Sequence, residues 1–417
     1  MKIAIITSGF FPVIDGVTVS GFVRVKKLSE WGYQVLVFCP DYSSLAHIYP
    51  NWQQYTGEIL PGVKVFNLKS TPFFVEFERN VALGSYREVI KQLEGFKPDI
   101  IHVDEPERLF MGFLRIPGVK FAQKNNIPCV GFFRTNFLDY AEDFLPLPQF
   151  LLGIVKSIFQ SMVKKIYNSY DFTLVTSIIT DKKLVAMGIK NSKYENLVGF
   201  DSDRYQPNLI QPDFWQQKFG ITDIENKVKL IFVGRLTPDK GWNFTIKAFQ
   251  NLAKIYDINQ LALIIVGDGE LKPIITKKFK AISNYVYCLG RIAPEIIPAL
   301  YLNSDIHVTT SEKETRGLTI LEAFAAGIPV IAPRAGGVVQ NIQDGVNGFL
   351  YQPQNIEDFQ TKLLTLVQDQ NLRISMGKRG KSQMDQYDWN ITVKNLIAIW
   401  DELISLKSST KNLTSNL

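Results

Sequence analysis

The sequence is poor in the residues that build disulfide-stapled or metal-rich domains. Its 417 residues include only three cysteines and three histidines. Cys39, Cys129 and Cys288 are odd in number and have no paired spacing, which excludes a disulfide framework and offers no metal-ligand pattern. We therefore expect three reduced core cysteines and no bound metal.

Long apolar runs and blocks of charge are absent as well. No segment approaches the roughly 20 unbroken apolar residues that span a bilayer, and the apolar run at 2–7 lacks the cleavage pattern of a signal peptide. The net charge of +6 comes without a Lys/Arg block or an alternation of aromatic and basic residues, so no nucleic-acid partner is expected. These absences predict a cytoplasmic protein whose modest positive charge could hold anionic lipid or phosphate.

The pattern of apolar runs predicts a doubly wound domain in the first half of the chain. Helix-length segments at 18–31, 109–124 and 150–170 lie between short runs rich in Val, Ile and Phe. These runs are the predicted strands 2–7, 33–39, 64–68, 99–103, 128–133 and 172–176. Strands that are apolar on both faces are typical of a parallel sheet covered by helices on each side.

The same pattern restarts after a polar, turn-rich stretch at 199–207. Further strands are predicted at 229–234, 261–266, 285–289, 305–310 and 328–332. We place an N-terminal domain at 1–200, a C-terminal domain at 201–387, a helix at about 388–406 that returns to the first domain, and a frayed tail at 407–417. The predicted fold class is α/β, with two doubly wound, Rossmann-like domains facing across a cleft at the carboxyl ends of their strands.

The segment 311–330 is the most informative, because two glutamates in E-x7-E spacing follow a predicted strand. Helix formers that stop at Gly327 predict a short helix beginning near Gly317. The free amides at such a helix N-terminus suit a diphosphate without a metal. Glu314 and Glu322 could flank that diphosphate and grip the hydroxyls of a sugar and a ribose. A solvated acidic loop and a helix-surface glutamate are the alternative.

With this element the sequence resembles the family 4 retaining glycosyltransferases, whose fold is called GT-B and whose signature is E-x7-E. The resemblance extends from the first strand to Trp389. It implies that Glu314 contacts donor-sugar hydroxyls, that Glu322 holds the ribose, and that the amides of Leu318 and Thr319 bind phosphate.

The segment 233–241 places Gly234 and two cations, Arg235 and Lys240, at the carboxyl end of an apolar strand. Two cations there can neutralise a departing diphosphate, the task that a divalent metal performs in other transferases. Two solvated surface charges are the alternative. The resemblance implies that Arg235 and Lys240 bind the donor phosphates.

Two further loops follow predicted strands of the second half. Gly267 and Gly269 form a strand-to-helix turn, which is weak evidence alone because glycine is common in tight turns. Arg291 lies in the loop after the next strand. The resemblance implies that both loops line the pocket for the nucleotide base.

In the first half, two strand ends carry candidate residues. Gly16, after the first strand, would let the backbone approach a phosphate from the opposite side of the cleft, as the resemblance implies; a plain turn glycine is the alternative. Arg134 lies where many members of the family carry a histidine beside the reacting centre. Because arginine stays protonated, it cannot act as a general base there, although it could bind phosphate or an acidic acceptor.

An acidic stretch after the strand at 99–103 offers more candidates for an acceptor pocket. They are His102, Asp104, Glu105 and Glu107. A solvated acidic loop is the alternative interpretation.

Residues 144–170 form an amphipathic helical pattern that includes Lys156, Lys164 and Lys165. Such a helix covers a sheet or lies on an anionic membrane surface. In the second case the protein would be peripheral on the inner face of a membrane and a lipid acceptor becomes attractive, as in the sulfolipid and glycolipid synthases that the sequence also resembles.

The resulting hypothesis is a metal-independent, cofactor-free, retaining transferase. It would move a hexose-type sugar from a nucleotide diphosphate sugar, a UDP-sugar, to a hydroxyl acceptor such as a lipid or glycan. No side-chain nucleophile is evident. A nucleotide-sugar epimerase of the same fold and a non-catalytic sugar-nucleotide-binding protein are the alternatives.

Overall fold

The computed structural model describes residues 1–73, 78–134, 149–314 and 316–415. They divide into two compact units. The first unit contains the chain up to Gly199 together with the segment from Trp389 onward, and the second contains Phe200–Asp388. Each unit has a sheet of mostly parallel strands covered by helices, which confirms the predicted α/β class with two doubly wound units.

The main sheet of the first unit has eight strands in the order β10-β9-β8-β7-β1-β2-β4-β3. The strands of this unit are β1 Lys2–Thr7, β2 Gln34–Pro40, β3 Gly57–Leu60, β4 Val63–Leu68, β5 Ser70–Pro72, β6 Arg79–Val81, β7 Ile100–Asp104, β8 Cys129–Phe132, β9 Phe172–Val175 and β10 Ser192–Tyr194. Only β3 runs antiparallel in this sheet, and β5 and β6 form a separate antiparallel pair. The strand order reverses between β1 and β7, where sheets of this type open a ligand crevice at their carboxyl ends.

Alternate residues of β1 show why this sheet is covered on both faces. Ile3 and Ile5 belong to one buried apolar cluster, whereas Ala4 and Ile6 belong to another. The helices that cover the sheet are α1 Gly16–Glu30, α2 Tyr86–Phe96, α3 Pro106–Phe113, α4 Val119–Asn125, α5 Gln149–Tyr167 and α6 Ile178–Ala186. Successive side chains on a strand point to opposite faces, so both faces need an apolar cover.

The single helix predicted at 109–124 is wrong, because the structure has α3 and α4 instead. Leu114 ends α3 in a left-handed conformation, and Gly118 precedes α4 with φ of 77°. A Cβ at Gly118 would lie 2.9 Å from Ile101 Cγ2. Pro117, which cannot donate a backbone hydrogen bond, completes a connection that no continuous helix could make.

The sheet of the second unit has six parallel strands in the order β13-β12-β11-β14-β15-β16. They are β11 Val228–Val233, β12 Leu261–Val266, β13 Val286–Gly290, β14 Ile306–Val308, β15 Val330–Pro333 and β16 Gly348–Tyr351. The helices are α7 Phe214–Phe219, α8 Trp242–Leu252, α9 Lys272–Lys280, α10 Ile297–Leu302, α11 Leu318–Ala326, α12 Ile356–Gln368 and α13 Gln370–Ser382. The order reverses between β11 and β14, so the loops after these two strands share one edge of the sheet.

The last helix, α14 Trp389–Ser415, belongs to the first unit. Its buried face enters the same apolar cluster as Ile3 and Ile5, through Val393, Leu396, Ile397, Trp400 and Leu403. The predicted frayed tail at 407–417 is wrong as far as Ser415. Lys407 pairs with Asp171 at 2.8 Å, which ties this end of the helix to the first unit. The hydroxyls of Ser408 and Ser409 donate to carbonyls four residues earlier in the same helix.

Candidate active site

Helix α11 begins and ends as its sequence predicts. Gly317 precedes it with φ of 68° and Gly327 follows it with φ of 77°, both in the left-handed region. A Cβ at Gly317 would lie 2.9 Å from Ile320 Cδ1 and 3.2 Å from Val338 Cγ1, so the glycine is needed for space as well as for its dihedral angle. The amides of Leu318 and Thr319 open the helix, where helix geometry provides no intrahelical acceptor and the dipole favours an anion.

Lys240 and Glu314 come together beside this helix. Lys240 Nζ lies 2.6 Å from Glu314 Oε1, and the amide of Gly337 donates to the Glu314 carbonyl at 2.7 Å. A Cβ at Gly336 would lie 2.8 Å from that same carbonyl, so the turn Gly336–Gln340 can brace Glu314 only with glycine there. The structure thus brings together two of the residues singled out in the sequence.

Asp239 links this pair to Arg235, and sequence reasoning missed it. Its buried carboxylate lies 3.2 Å from Arg235 Nη2 and 3.8 Å from Lys240 Nζ, and it accepts a hydrogen bond from Thr237 at 2.5 Å. The Arg235 side chain itself is 55% exposed. One buried acid therefore holds two cations at the carboxyl end of β11.

Glu322 lies in a different environment, on the second turn of α11. Its Oε2 atom is buried and has no hydrogen-bond partner among the described residues. Burial raises the pKa of this carboxyl to about 7, although the Tyr301 hydroxyl and Arg204 nearby both act to lower it. Such a group can exist in either protonation state near neutral pH.

The glycines after β11 and β12 interlock. A Cβ at Gly267 would lie 1.8 Å from the carbonyl oxygen of Gly234, and a Cβ at Gly269 would lie 2.5 Å from that of Leu236. The Gly267 amide also donates to the carbonyl of Gly290 at 2.8 Å. These loops approach one another at the edge of the sheet that carries Arg235, and the exposed Arg291 follows β13 there.

Gly16 is the first residue of α1, and the backbone amides that follow it are hydrogen-bonded to a side chain of the protein. Asp15 Oδ1 accepts hydrogen bonds from Val17 at 2.7 Å and from Thr18 at 2.8 Å. The carboxylate of Asp15 therefore occupies the position that an anion would take at this helix end.

Arg134 lies in a buried network at the carboxyl end of β8. Its guanidinium donates to the hydroxyl of Ser20 and lies 3.6 Å from Asp104. Arg24 also pairs with Asp104 and lies 3.0 Å from His102 Nε2. A small crevice beside the two arginines is lined in addition by residues of α1, β8 and α14.

The charges of this network are fixed by burial and by one another. Burial would raise the pKa of Asp104, but Arg24 and His102 hold it well below its usual range. Burial, reinforced by Arg24, lowers the pKa of His102 to about 4. His102 is therefore neutral and Asp104 ionised at pH 7.

The acidic stretch after β7 is buried, so its interpretation as a solvated loop is wrong. Glu105 accepts a hydrogen bond from Ser8, and Glu107 accepts one from the Tyr167 hydroxyl. Glu105 is held with φ of 52° and Glu107 is 1% exposed. Burial, with Glu105 nearby, raises the pKa of Glu107 to about 8.

Helix α5 covers the sheet, as the first interpretation of 144–170 predicts. Val163, Ile166 and Tyr167 are buried, whereas Ile158 is 66% exposed and Val155 is 39% exposed. Residues 144–148 lie outside the described ranges. None of the helices described combines the length and apolarity needed to cross a membrane.

Two doubly wound units, with the Lys240–Glu314 contact beside a helix that has glycine at both ends, are the features of a GT-B glycosyltransferase. Comparison with known families gives the same assignment. Residues 213–383 match the family model described as glycosyl transferases group 1, and residues 14–195 match glycosyltransferase family 4. The chain therefore belongs to these glycosyltransferases, which confirms the resemblance found in the sequence.

The chain is similar to glycosyltransferases with different names and sources. The chain is 28% identical over 353 residues to sulfoquinovosyl transferase SQD2 of Arabidopsis thaliana, covering 81% of this chain and 64% of the plant protein. It is 26% identical to the alpha-monoglucosyldiacylglycerol synthase of Streptococcus pneumoniae, covering 84% and 75% of the two chains. Anabaena Alr3699/HepE, solved with UDP and glucose, superposes with a TM-score of 0.71 at 19% identity, covering 96% of this chain and all of that one.

Proposed function

We propose that the protein is a retaining, metal-independent glycosyltransferase that moves a hexose-type sugar from a UDP-sugar to a hydroxyl of a lipid or glycan. The observation that carries the proposal is the contact of Lys240 with Glu314 beside the open end of α11. The solved Anabaena relative binds UDP, which supports a UDP-sugar as the donor. The names of the sulfoquinovosyl and glucosyldiacylglycerol enzymes support a lipid acceptor.

In this proposal the donor diphosphate is bound by cations and amides rather than by a metal. Arg235 and Lys240 approach its oxygens, and the amides of Leu318 and Thr319 receive the charge that develops as the glycosidic bond breaks. Asp239 keeps both cations aligned before the donor arrives. Glu314 and Glu322 accept hydrogen bonds from the sugar and the ribose, respectively.

The acceptor side is assigned to the carboxyl edge of the first sheet. Arg134 stays protonated there, so it orients an acceptor or donor oxygen and takes no proton. We propose that the acceptor hydroxyl attacks from the face that the diphosphate leaves and passes its proton to the departing phosphate. No covalent enzyme intermediate forms in this scheme.

Product analysis with UDP-glucose tests the proposal against its rivals. With diacylglycerol vesicles present, we expect release of UDP and an α-linked glycolipid, undiminished by EDTA. Lys240→Ala should lower turnover without unfolding the protein, and Glu322→Ala should weaken UDP-glucose binding. Interconversion of UDP-glucose without acceptor would favour an epimerase, and binding without any turnover would favour a silent binding protein.

Membrane contact is the part of the proposal that rests on α5. Its exposed Ile158 and Val155 lie near Lys156, as an anionic membrane surface requires. Ile158→Glu should reduce sedimentation with anionic vesicles, whereas Ile255→Glu, at an equally exposed isoleucine of the second unit, should not. Equal sedimentation of both variants would exclude α5 as the contact.

A further inference from the structure

Two buried oxygen atoms of the second unit have no hydrogen-bond partner among the described residues. They are Oε2 of Glu322 on α11 and the hydroxyl of Tyr301 on α10. Tyr301 is completely buried, and its hydroxyl is close enough to the carboxyl to influence the pKa of Glu322. Buried polar atoms are nearly always paired, so two such atoms side by side require an explanation.

The other groups around Glu322 do not supply a partner for Oε2. Arg204 acts on the carboxyl through its charge alone, and the charge of Glu322 in turn helps to raise the pKa of Tyr205. His307 stacks edge-on against the Tyr301 ring at 5.4 Å, but burial lowers its pKa to about 4, so it is uncharged at neutral pH.

The remaining elements packed on α11 meet it elsewhere. Helix α13 contacts it at glycines, since a Cβ at Gly380 would lie 2.4 Å from Phe324 Cδ1 and one at Gly377 would lie 1.8 Å from the Gly327 carbonyl. The Tyr387 hydroxyl, in the turn Met384–Tyr387, donates to Asn341 at 3.2 Å. Tyr301 is therefore the neutral donor placed to reach Oε2.

We propose that Tyr301 is a positioning residue, which donates its hydroxyl proton to ionised Glu322 and so holds that carboxylate ready to accept the ribose hydroxyls of a nucleotide sugar. The inference rests on the proposed function, in which Glu322 binds the ribose. With the protonated acid the Tyr301 hydroxyl can make only a weaker hydrogen bond between neutral groups, so the carboxyl is held less firmly.

Nucleotide binding should then weaken as the pH falls. An ionised carboxylate only accepts hydrogen bonds, so it suits two ribose hydroxyls, whereas the acid carries a proton of its own. Because burial raises the pKa of Glu322 to about 7, binding below that pH requires loss of a proton. The Kd should rise about tenfold from pH 8 to pH 6.

The test is calorimetric titration with UDP-glucose and with GDP-mannose between pH 5.5 and 8.5. These probes lack the terminal phosphate of a free nucleotide, whose second ionisation near pH 6 would confuse the result. Tyr301→Phe should move the midpoint of the binding profile up by about one pH unit, since it removes a donor to the charged form. It should bind about fivefold more weakly at pH 7 yet within twofold of the parent at pH 8.5.

Two further variants make the result specific. Glu322→Gln should bind with little dependence on pH. Tyr205→Phe, which removes a second hydroxyl near Glu322, should keep the parent profile. Thermal unfolding of each variant checks the fold.

The outcomes separate this inference from the proposed function. If Tyr301→Phe weakens binding by one factor at every pH, or leaves the profile unchanged, Tyr301 does not position Glu322. If the parent binds with no pH dependence, this inference alone is wrong. If neither nucleotide sugar binds the parent at any pH, the proposed function is wrong and the inference falls with it.

Discussion

At the scale of single residues, Asp239 determines where both donor-side cations lie. It is buried, and its carboxylate reaches Arg235, Lys240 and the Thr237 hydroxyl. Asparagine at this position has the same shape and could keep the hydrogen bond from Thr237. It would lose the negative charge that holds the two cations. The proposed catalysis therefore depends on a residue that would not itself touch the donor.

We expect Asp239→Asn to lower kcat/KM by tenfold to a hundredfold, about 1.4–2.8 kcal/mol of transition-state stabilisation. Steady-state kinetics with UDP-glucose would measure the loss. Asp257→Asn, at an exposed turn of the same unit, serves as the control and should leave kcat/KM unchanged. A parent-like rate in Asp239→Asn would show that the cations need no such support.

The buried Glu107 should make the free energy of unfolding depend on pH. Its folded-state pKa, raised to about 8, lies above its unfolded value, so the folded protein binds more protons between about pH 4.5 and 8. Stability should therefore fall as pH rises through this window. Glu107→Gln keeps an acceptor for the Tyr167 hydroxyl and removes the titration.

Urea unfolding at pH 5 and pH 8 would measure this effect. We expect the parent to lose on the order of 1–3 kcal/mol more than Glu107→Gln between these pH values. Glu94→Gln, at an exposed position on α2, should behave as the parent does. Equal pH dependence in the Glu107 and Glu94 variants would contradict the assignment.

Residue by residue, charged side chains at strand ends were the predictable part of the site. The sequence pattern indicates Arg235, Lys240 and Glu314 because they follow apolar strands, and the structure places them within one loop cluster. Asp239 was missed because an acid that follows Pro238 and lies two residues before Gly241 is typical of a turn. Tyr301 was missed because it lies in an apolar helix, where an aromatic residue normally fills the core.

At the scale of elements, the central strands of each sheet could be predicted from the sequence, whereas the edge strands could not. The predicted strands 2–7 and 261–266 have the observed bounds, because long runs buried on both faces leave a clear signal. Strands β3, β10 and β16 were not predicted, and all three lie at the ends of their sheets. In β3 and β10 no residue is buried, so no apolar run marks these strands in the sequence. The error at 109–124 has a different cause, because apolar residues continue across the break at Leu114 and hide the end of α3.

The interlocked loops after β11 and β12 give a prediction at this scale. Gly267→Ala should destabilise the protein by about 2–4 kcal/mol, because its Cβ would overlap the Gly234 carbonyl and only backbone movement could relieve the contact. Denaturant unfolding measures the loss. Gly95→Ala in α2, where a Cβ meets nothing within 4 Å, should instead stabilise by about 0.5–1 kcal/mol.

At the scale of the whole molecule, the first unit depends on α14. Trp400 is completely buried against the sheet, with its ring 5.6 Å from that of His102. A chain ending at Asp388 would expose this face of the sheet, so we expect the first unit to lose its protection against limited proteolysis while 200–388 remains resistant. A chain ending at Lys411 should behave as the full chain does, because the buried face of α14 ends with Leu403.

The return of α14 also sets an order of events during synthesis. A Cβ at Gly199 would lie 2.0 Å from the Trp389 ring, so the residues that close the first unit are separated in the chain by the whole of the second. The first unit therefore cannot be completed until α14 has been synthesised, whereas the second unit can fold before that. Until then the apolar sheet face that α14 covers is exposed in the nascent chain. We therefore expect the nascent chain to bind chaperones at this stage.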